Sequence, residues 1–224
     1  MNARHEFKHS LNYADYFFLR GRLRAVFPHD ENTNEQGEYL IRSLYFDTPS
    51  DTALREKLDG VNDREKFRIR FYNGNTDFLR LERKAKHNGL CYKSSTAITK
   101  QEAQALVEGD ISWMKERDDA LLWALYSRMC GRLLAPKTIV DYIREPFIFA
   151  PGNVRITLDR ALHTGLHCTD FMNPDVPMVP VEGTAALLEV KYDNFLPHIV
   201  KDVIHINNRS AAAFSKYANC RVYG

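Results

Sequence analysis

The octapeptide Glu65-Lys-Phe-Arg-Ile-Arg-Phe-Tyr72 decides how the rest of the chain is interpreted. Basic and apolar residues alternate strictly along it, with Lys66, Arg68 and Arg70 on one side and Phe67, Ile69 and Phe71 on the other. This two-residue period predicts a β-strand with one apolar face and one uniformly cationic face. Cations about 7 Å apart repel one another, so water or an anion must compensate such a row. A single strand of this kind is usually a solvated surface strand, whereas repetition in other strands indicates an anion site.

Four further segments repeat the alternation: Arg4 to Lys8, Phe78 to Lys84, Val154 to Asp159 and Leu187 to Tyr192. Each places basic residues and occasional carboxylates on one face and apolar residues on the other. The shared pattern favours a curved or closed antiparallel sheet whose charged face lines a cavity for a polyanion. We therefore predict the α+β class, an antiparallel β-barrel with a charged lumen and helices packed outside. No linker or repeat divides residues 1–224, which predicts a single domain.

Charge is distributed unevenly, although the formal net charge of the 224 residues is only +2. Twelve cations are predicted to face the cavity: Arg4, Lys8, Lys66, Arg68, Arg70, Arg80, Lys84, Lys93, Arg144, Arg155, Lys191 and Lys216. They are accompanied by four carboxylates: Glu6, Glu82, Asp159 and Glu189. The cavity would carry +8 and the remaining residues −6. Nucleic-acid binders usually carry their positive charge on the outer surface, so we expect no nucleic-acid partner.

The cysteines and the polar amino terminus indicate the compartment. Cys91, Cys130, Cys168 and Cys220 form no C-x-x-C pair, which is typical of reduced, mostly buried thiols in a cytosolic protein. The amino terminus does not resemble a signal peptide, and no apolar run is long enough to cross a membrane. We expect a cytoplasmic protein without direct membrane insertion. If it acts at a membrane, a membrane-protein partner would bring it there.

Local sequence signals predict several helices and one long connection. Asn12 with Asp15, and Thr99 with Glu102, are typical helix starts. Residues 113–129 are predicted to form the strongest helix, and residues 160–184 an irregular connection rich in proline. A final helix is predicted to begin at Ser210 and to continue through Tyr217.

The predicted constellation suits phosphate chemistry. Arg donates two parallel hydrogen bonds to a phosphate, and Lys acts as a movable point charge. Displacement at phosphorus depends mainly on positioning and on neutralising charge, with a divalent metal that needs only one or two protein carboxylates. Glu189 is the first candidate for a metal ligand. Glu82 and Glu6 are further candidates, for which a salt bridge that orients a neighbouring Arg or Lys stays open as an alternative.

Seven segments in order carry a resemblance to a known family: Arg4 to Lys8, Ser43 to Pro49, Lys66 to Tyr72, Leu81 to Lys84, Arg155 to Arg160, Leu188 to Tyr192 and Phe214 to Tyr217. Over residues 4–217 the chain resembles the VTC domain, the polyphosphate polymerase domain of the vacuolar transporter chaperone complex, in the triphosphate tunnel metalloenzyme superfamily. The resemblance implies a β-barrel whose basic lumen binds ATP and inorganic polyphosphate. It also implies transfer of the ATP γ-phosphate to a growing polyphosphate chain, with Mn²⁺ or Mg²⁺ as cofactor.

By position, the resemblance implies phosphate contacts for ten residues: Lys8, Arg68, Arg70, Lys84, Lys93, Arg144, Arg155, Lys191, Ser215 and Lys216. It places Tyr142 beside Arg144 and makes Glu189 the metal carboxylate. We predict that six of these residues are catalytic, namely Lys8, Arg68, Arg70, Lys84, Arg155 and Lys191. The other four are predicted to bind substrate, together with Tyr142 and with Arg4, Lys66 and Arg80 of the cavity set.

Two departures from the family pattern affect the predicted activity. Hydrolases and cyclases of the superfamily begin Glu-x-Glu-x-Lys, whereas Arg4 stands here at the first Glu. The missing carboxylate would help to activate water, so its loss favours phosphate transfer over hydrolysis. Ala213 stands where the polymerase pattern has a lysine, which removes one tunnel cation. A triphosphatase of the same fold and a non-catalytic module that binds polyphosphate or nucleotide stay open as alternatives.

Overall fold

The computed structural model describes residues 4–88, 90–183, 185–206 and 214–221. Within them the strands are β1 His5–Leu11, β2 Tyr39–Asp47, β3 Arg64–Tyr72, β4 Asn75–His87, β5 Leu90–Ile98, β6 Ala135–Phe149, β7 Val154–Thr164, β8 Val179–Pro180 and β9 Ala186–Tyr192. The α-helices are α1 Tyr13–Val26, α2 Thr52–Leu58, α3 Lys100–Glu108, α4 Ala120–Arg132, α5 His198–Ile204 and α6 Lys216–Cys220. Two short 3₁₀ turns span Ser112–Glu116 and Pro151–Asn153.

The chain divides into two compact units, and the division falls within β2, β6, β7 and β8. The first unit comprises Met1–Leu40, Tyr142–Leu162 and Pro180–Phe214. The second unit comprises Ile41–Asp141, His163–Val179 and Ser215–Gly224. The single domain expected over residues 1–224 stays a prediction.

The first unit builds its core between strands and two helices. Strand β9 pairs antiparallel with β1 on one side and with β7 on the other. Alternate residues of β7 and β9 are apolar and buried, and they pack with α1 and α5 around Leu19, Leu23 and Val200. Asn12 begins α1 because its side chain accepts a hydrogen bond from the Asp15 N–H, as predicted. The opposite face of these strands carries most of their charged side chains.

The second unit repeats this arrangement on β2, β3, β4 and β5. The alternation in the opening octapeptide is confirmed, because Phe67, Ile69 and Phe71 are buried in the core. Residues of α3 and α4 cover that core from the other side. A two-residue turn joins β3 to β4, and both of its residues, Asn73 and Gly74, have positive φ, the conformation that tight hairpins require.

The predicted helix over residues 113–129 was wrong in its extent. The segment contains the 3₁₀ turn Ser112–Glu116, an extended Arg117, and then α4. Asp119 begins α4 because its side chain accepts hydrogen bonds from the N–H groups of Leu121 and Leu122. Apolar spacing continued across this break, so the capping aspartate was the signal that marked the true start.

Three further expectations need correction. The connection predicted over residues 160–184 is shorter, because β7 continues to Thr164 and β8 lies within it. The final helix begins with the cap Ser215, whereas Ser210 lies outside the described residues. The cysteines are free thiols, but Cys91 and Cys130 are exposed, so the expectation of mostly buried thiols was wrong for those two. No helix in the described ranges combines the length and the apolar character needed to cross a membrane.

Candidate functional site: two charged strand faces

In the first unit, strand pairing arranges charged side chains in rows. Residues that are directly paired in an antiparallel sheet point to the same face. The pairing of β1, β9 and β7 produces one row of Lys8, Glu189 and Thr157 and a next row of Glu6, Lys191 and Arg155. The rows lie on the face opposite the apolar core, as the alternation predicted.

Four members of these rows, Glu6, Lys8, Glu189 and Lys191, form a compact ionic cluster, the Glu189 group. Lys8 Nζ lies 2.6 Å from Glu6 Oε1 and 3.3 Å from Glu189 Oε2. Lys191 Nζ lies 2.6 Å from Glu189 Oε1 and 3.9 Å from Glu6 Oε2. Each lysine therefore contacts both carboxylates, and the two carboxylates lie close together.

The two lysines of the Glu189 group differ in their protonation chemistry. Burial opposes the charged form of Lys8, but the nearby carboxylates of Glu189 and Glu6 outweigh it and raise the pKa of Lys8. Burial lowers the pKa of Lys191, and the positive charge of Arg144 adds to that effect, although Glu189 and Glu6 partly offset it. Lys191 is thus the lysine from which a proton is more easily removed.

The other predicted cations of the first unit each have a carboxylate partner. Arg144 donates from Nε and Nη2 to the two oxygens of Asp159, at 2.6 and 2.7 Å, and its guanidinium lies 5.5 Å from the centre of the Tyr142 ring. Burial opposes the charge of Arg144, but Asp159 outweighs it and raises the Arg144 pKa. Arg155 pairs with Asp30 at 2.7 Å and donates to the Tyr39 hydroxyl at 2.9 Å. The predicted cations of this unit are therefore locally compensated.

Sequence reasoning missed two of these compensating carboxylates. Asp30 lies in the polar loop before β2, and Asp193 follows β9 and pairs with Arg4 at 2.9 Å. Neither residue lies within an alternating strand, so no period in the sequence connected them to the site. Since both add negative charge, the predicted surplus of positive charge does not hold for the first unit.

In the second unit the strand pairing gathers cations instead. Lys66 pairs with Lys84, and Lys84 pairs with Lys93, so three lysines cross β3, β4 and β5 in one row. In another row Arg70 pairs with Arg80. Cations therefore lie side by side across the paired strands of this face. Like charges directly opposite each other destabilise a sheet.

The buried carboxylate of Glu82 contacts three cations of this face. Glu82, Arg68, Arg70 and Lys93 are called the Glu82 group below. Arg68 contacts Glu82 Oε2 from Nε at 2.7 Å and from Nη2 at 2.6 Å, and Lys93 Nζ lies 2.6 Å from Oε1. Arg70 is farther from Glu82, at 3.9 Å, and donates to Ser43 Oγ at 2.9 Å. Burial would raise the pKa of Glu82, but the positive charges of Arg68, Arg70 and Lys93 outweigh it and lower that pKa. These contacts favour the orienting role for Glu82 over metal binding.

Tyr45 is a member of this face to which the sequence assigned no definite role. Its hydroxyl accepts a hydrogen bond from Arg68 at 2.8 Å, and Lys66 Nζ lies 5.4 Å from its ring centre. The ring stacks on Tyr217 at 5.0 Å, and the Tyr217 hydroxyl donates to Asp47 at 2.6 Å. Burial by itself would raise the pKa of Tyr45, but the charges of Arg68, Lys66 and Arg70 bring it down to about 7. Tyr45 can therefore change its charge near neutral pH.

The remaining predicted residues take less central positions. Ser215 caps α6, since its hydroxyl accepts from the Ala218 N–H at 3.3 Å, and Lys216 is the first residue of that helix. Arg80 is exposed. Ala213, the residue in place of a tunnel lysine, lies outside the described residues.

A divalent cation fits the Glu189 group better than the Glu82 group. In the part of the chain that the structure describes, no three His, Cys, Asp or Glu residues are close enough together to hold a metal. Mg²⁺ needs only one or two carboxylates when substrate phosphates and water supply its other ligands. Glu6 and Glu189 could supply two carboxylates to one cation, because their contacts with the same two lysines place them side by side.

Comparisons with known proteins identify the family and the fold of the chain. The family model of the VTC domain matches residues 3–223. A candidate adenylyl cyclase from Hippeastrum, whose dominant activity is that of a triphosphatase, has a similar structure: the TM-score is 0.57 at 16% identity, over 99% of this chain and 96% of that one. A candidate adenylate cyclase from Bacillus halodurans has a TM-score of 0.50 at 15% identity, over 85% of this chain and 80% of that one. Among curated proteins no sequence match is found. At these identities the likeness shows the fold alone, and it confirms the predicted α+β tunnel fold.

Proposed function

Because the chain belongs to the VTC domain family, we propose that it is an ATP-dependent polyphosphate polymerase, a transferase that moves the γ-phosphate of ATP onto the end of a polyphosphate chain. The observation that carries the proposal is the row of Lys66, Lys84 and Lys93 across three paired strands. Neighbouring cations on paired strands form an extended positive surface that attracts an anion. A linear phosphate chain is an anion with regularly spaced charges, so it matches a row better than a single phosphate does.

The Glu82 group supports the same proposal through its geometry. Glu82 fixes Arg68 by two contacts and so holds the planar guanidinium in one orientation. A fixed guanidinium loses less conformational entropy when it binds a phosphate. Arg68 and Arg70 therefore keep their proposed catalytic roles: they bind phosphate oxygens and neutralise the charge that develops during transfer.

The Glu189 group would hold Mn²⁺ or Mg²⁺ through Glu6 and Glu189. When bound, such a cation neutralises phosphate charge and fixes the orientation of the triphosphate. Lys8 and Lys191 contact these carboxylates, and their ammonium groups would bind phosphate oxygens of ATP beside the cation.

The transfer itself needs no protein base. A terminal phosphate oxygen of the acceptor chain forms the new bond to the γ-phosphorus. The bond between that phosphorus and the bridging oxygen to the β-phosphate breaks, and ADP leaves with the electron pair. The acceptor oxygen is already ionised near neutral pH, so the protein has to position it and to neutralise charge.

The deciding assay incubates the purified chain with ATP and Mn²⁺ or Mg²⁺ and measures ADP together with long-chain polyphosphate. We expect both products in equal phosphate equivalents. ADP and free phosphate without polymer would overturn the polymerase proposal. Tight binding of polyphosphate without any turnover would instead support a non-catalytic binding module.

The second candidate is a triphosphatase, which the fold of the Hippeastrum protein favours. Position 4 argues against it. Arg4 pairs with Asp193 and also donates to the backbone carbonyl of Asn153, so it supplies no carboxylate for activating water. Release of phosphate from inorganic tripolyphosphate, with no polymer formed from ATP, would establish this alternative. A cytoplasmic location and a membrane-protein partner belong to the polymerase proposal and need separate tests.

A further inference from the structure

Thr157 has an unusual environment on the charged face of the first unit. The residue is 2% exposed, and its hydroxyl oxygen makes no hydrogen bond with any residue that the structure describes. A buried hydroxyl without a partner lowers stability, and most buried polar groups in native proteins are paired. Such a group therefore points to a bound partner.

The position of Thr157 identifies the neighbourhood in which that partner would lie. Thr157 is paired with Glu189 across β7 and β9, which puts their Cβ atoms about 5 Å apart on one face. Its neighbours on that face of β7 are engaged elsewhere, since Arg155 pairs with Asp30 and Asp159 accepts from Arg144. The Thr157 hydroxyl is thus next to the Glu189 group.

A divalent cation held by the carboxylates of Glu6 and Glu189 needs further oxygen ligands. Glu6 and Glu189 supply carboxylates, and no third acidic, His or Cys side chain joins them among the described residues. Mg²⁺ and Mn²⁺ prefer oxygen ligands, and a Thr hydroxyl binds Mg²⁺ in P-loop proteins. We infer that Thr157 Oγ1 is an oxygen ligand of the divalent cation that Glu6 and Glu189 hold. This inference rests on the metal dependence of the proposed function, but not on polymer synthesis.

Mn²⁺ binding tests the inference without any turnover. Free Mn²⁺ is measured by electron paramagnetic resonance during titration of the full chain, with and without inorganic tripolyphosphate. Thr157→Val keeps the shape and removes the hydroxyl, whereas Thr157→Ser keeps the hydroxyl and removes the methyl group. We expect Thr157→Val to weaken Mn²⁺ binding about tenfold or more, and Thr157→Ser to stay within about threefold of the wild type.

Thermal unfolding in the absence of metal serves as the control. Thr157→Val should be at least as stable as the wild type, because it removes a buried hydroxyl that has no partner. If that variant does not fold, Thr157→Ala takes its place in the titration. Unchanged Mn²⁺ affinity in the hydroxyl-free variant, an equal loss in Thr157→Ser, or a wild type that binds no Mn²⁺ even with tripolyphosphate would each overturn the inference. A chain that binds Mn²⁺ as expected but forms no polymer from ATP would refute the polymerase and leave the Thr157 assignment standing.

Discussion

Removing the central lysine of the cationic row should make the protein more stable and a weaker phosphate binder. Lys84 is paired with Lys66 on one side and with Lys93 on the other. With charges about 6 Å apart, each repulsion costs about 0.7 kcal/mol at the dielectric constant of water and about 3 kcal/mol at an effective value of 20. The row is partly exposed and Glu82 already compensates Lys93, so the lower figure applies. We expect Lys84→Met to raise the free energy of unfolding by about 1 kcal/mol at low ionic strength.

Two measurements check this prediction. A gain of about 1 kcal/mol corresponds to a rise of roughly 2–4 °C in Tm for a protein of this size, and it should shrink in salt, which screens the repulsion. Calorimetry with inorganic tripolyphosphate should show affinity that is about 10 to 100 times weaker, because one charge-assisted contact is lost. The reasoning fails if Lys84→Met destabilises the protein or binds tripolyphosphate as the wild type does. Lys201→Met, an exposed lysine of α5, is the matched control and should change neither quantity appreciably.

Three more changes probe the site. Arg70→Ala should lower kcat/KM by about 30- to 1000-fold, or about 2–4 kcal/mol of transition-state stabilisation, in the ATP assay; unchanged activity per folded molecule would contradict its role. Glu189→Gln should abolish metal-dependent turnover yet leave tripolyphosphate binding without metal nearly intact, and loss of both would argue against a metal role. Folding lowers the pKa of Tyr45 from 10 to about 7. Ionisation of its phenol therefore stabilises the folded protein increasingly as pH rises from 7 towards 10, and this stabilisation disappears as pH falls through 7. Tyr45→Phe should therefore become less stable relative to the wild type over that pH range. Its phosphate affinity should decline less steeply with rising pH than that of the wild type, whose phenolate repels phosphate. Parallel pH profiles of the two proteins would refute both expectations.

Strand content and side-chain facing were largely predictable from the sequence. The alternation around Arg68 predicted its strand correctly, and the apolar partners on the other face are buried as expected. The cap at Thr99 was also correct, since its hydroxyl accepts from the Glu102 N–H while the Glu102 carboxylate accepts from the Thr99 N–H. These successes share a cause, because each depends on residues that are neighbours in the sequence.

The pairing of charges was much less predictable. Sequence reasoning treated the cations as one basic set, whereas Arg155 is compensated by Asp30, more than a hundred residues away. The role of Tyr45 likewise depends on Arg68 from the next strand and on Tyr217 near the end of the chain. No local pattern connects such residues, since strand register and loop paths bring them together.

The sequence alone determined which side of each strand is charged, because the direction of a side chain alternates with every residue along an extended backbone. Only the tertiary structure decided which of those charges are balanced, because charge balance depends on which strand lies beside which and in what register. Strand register pairs the two carboxylates of the Glu189 group with two lysines and aligns three lysines in one row of the second unit. It also leaves Thr157 beside Glu189 with its hydroxyl buried.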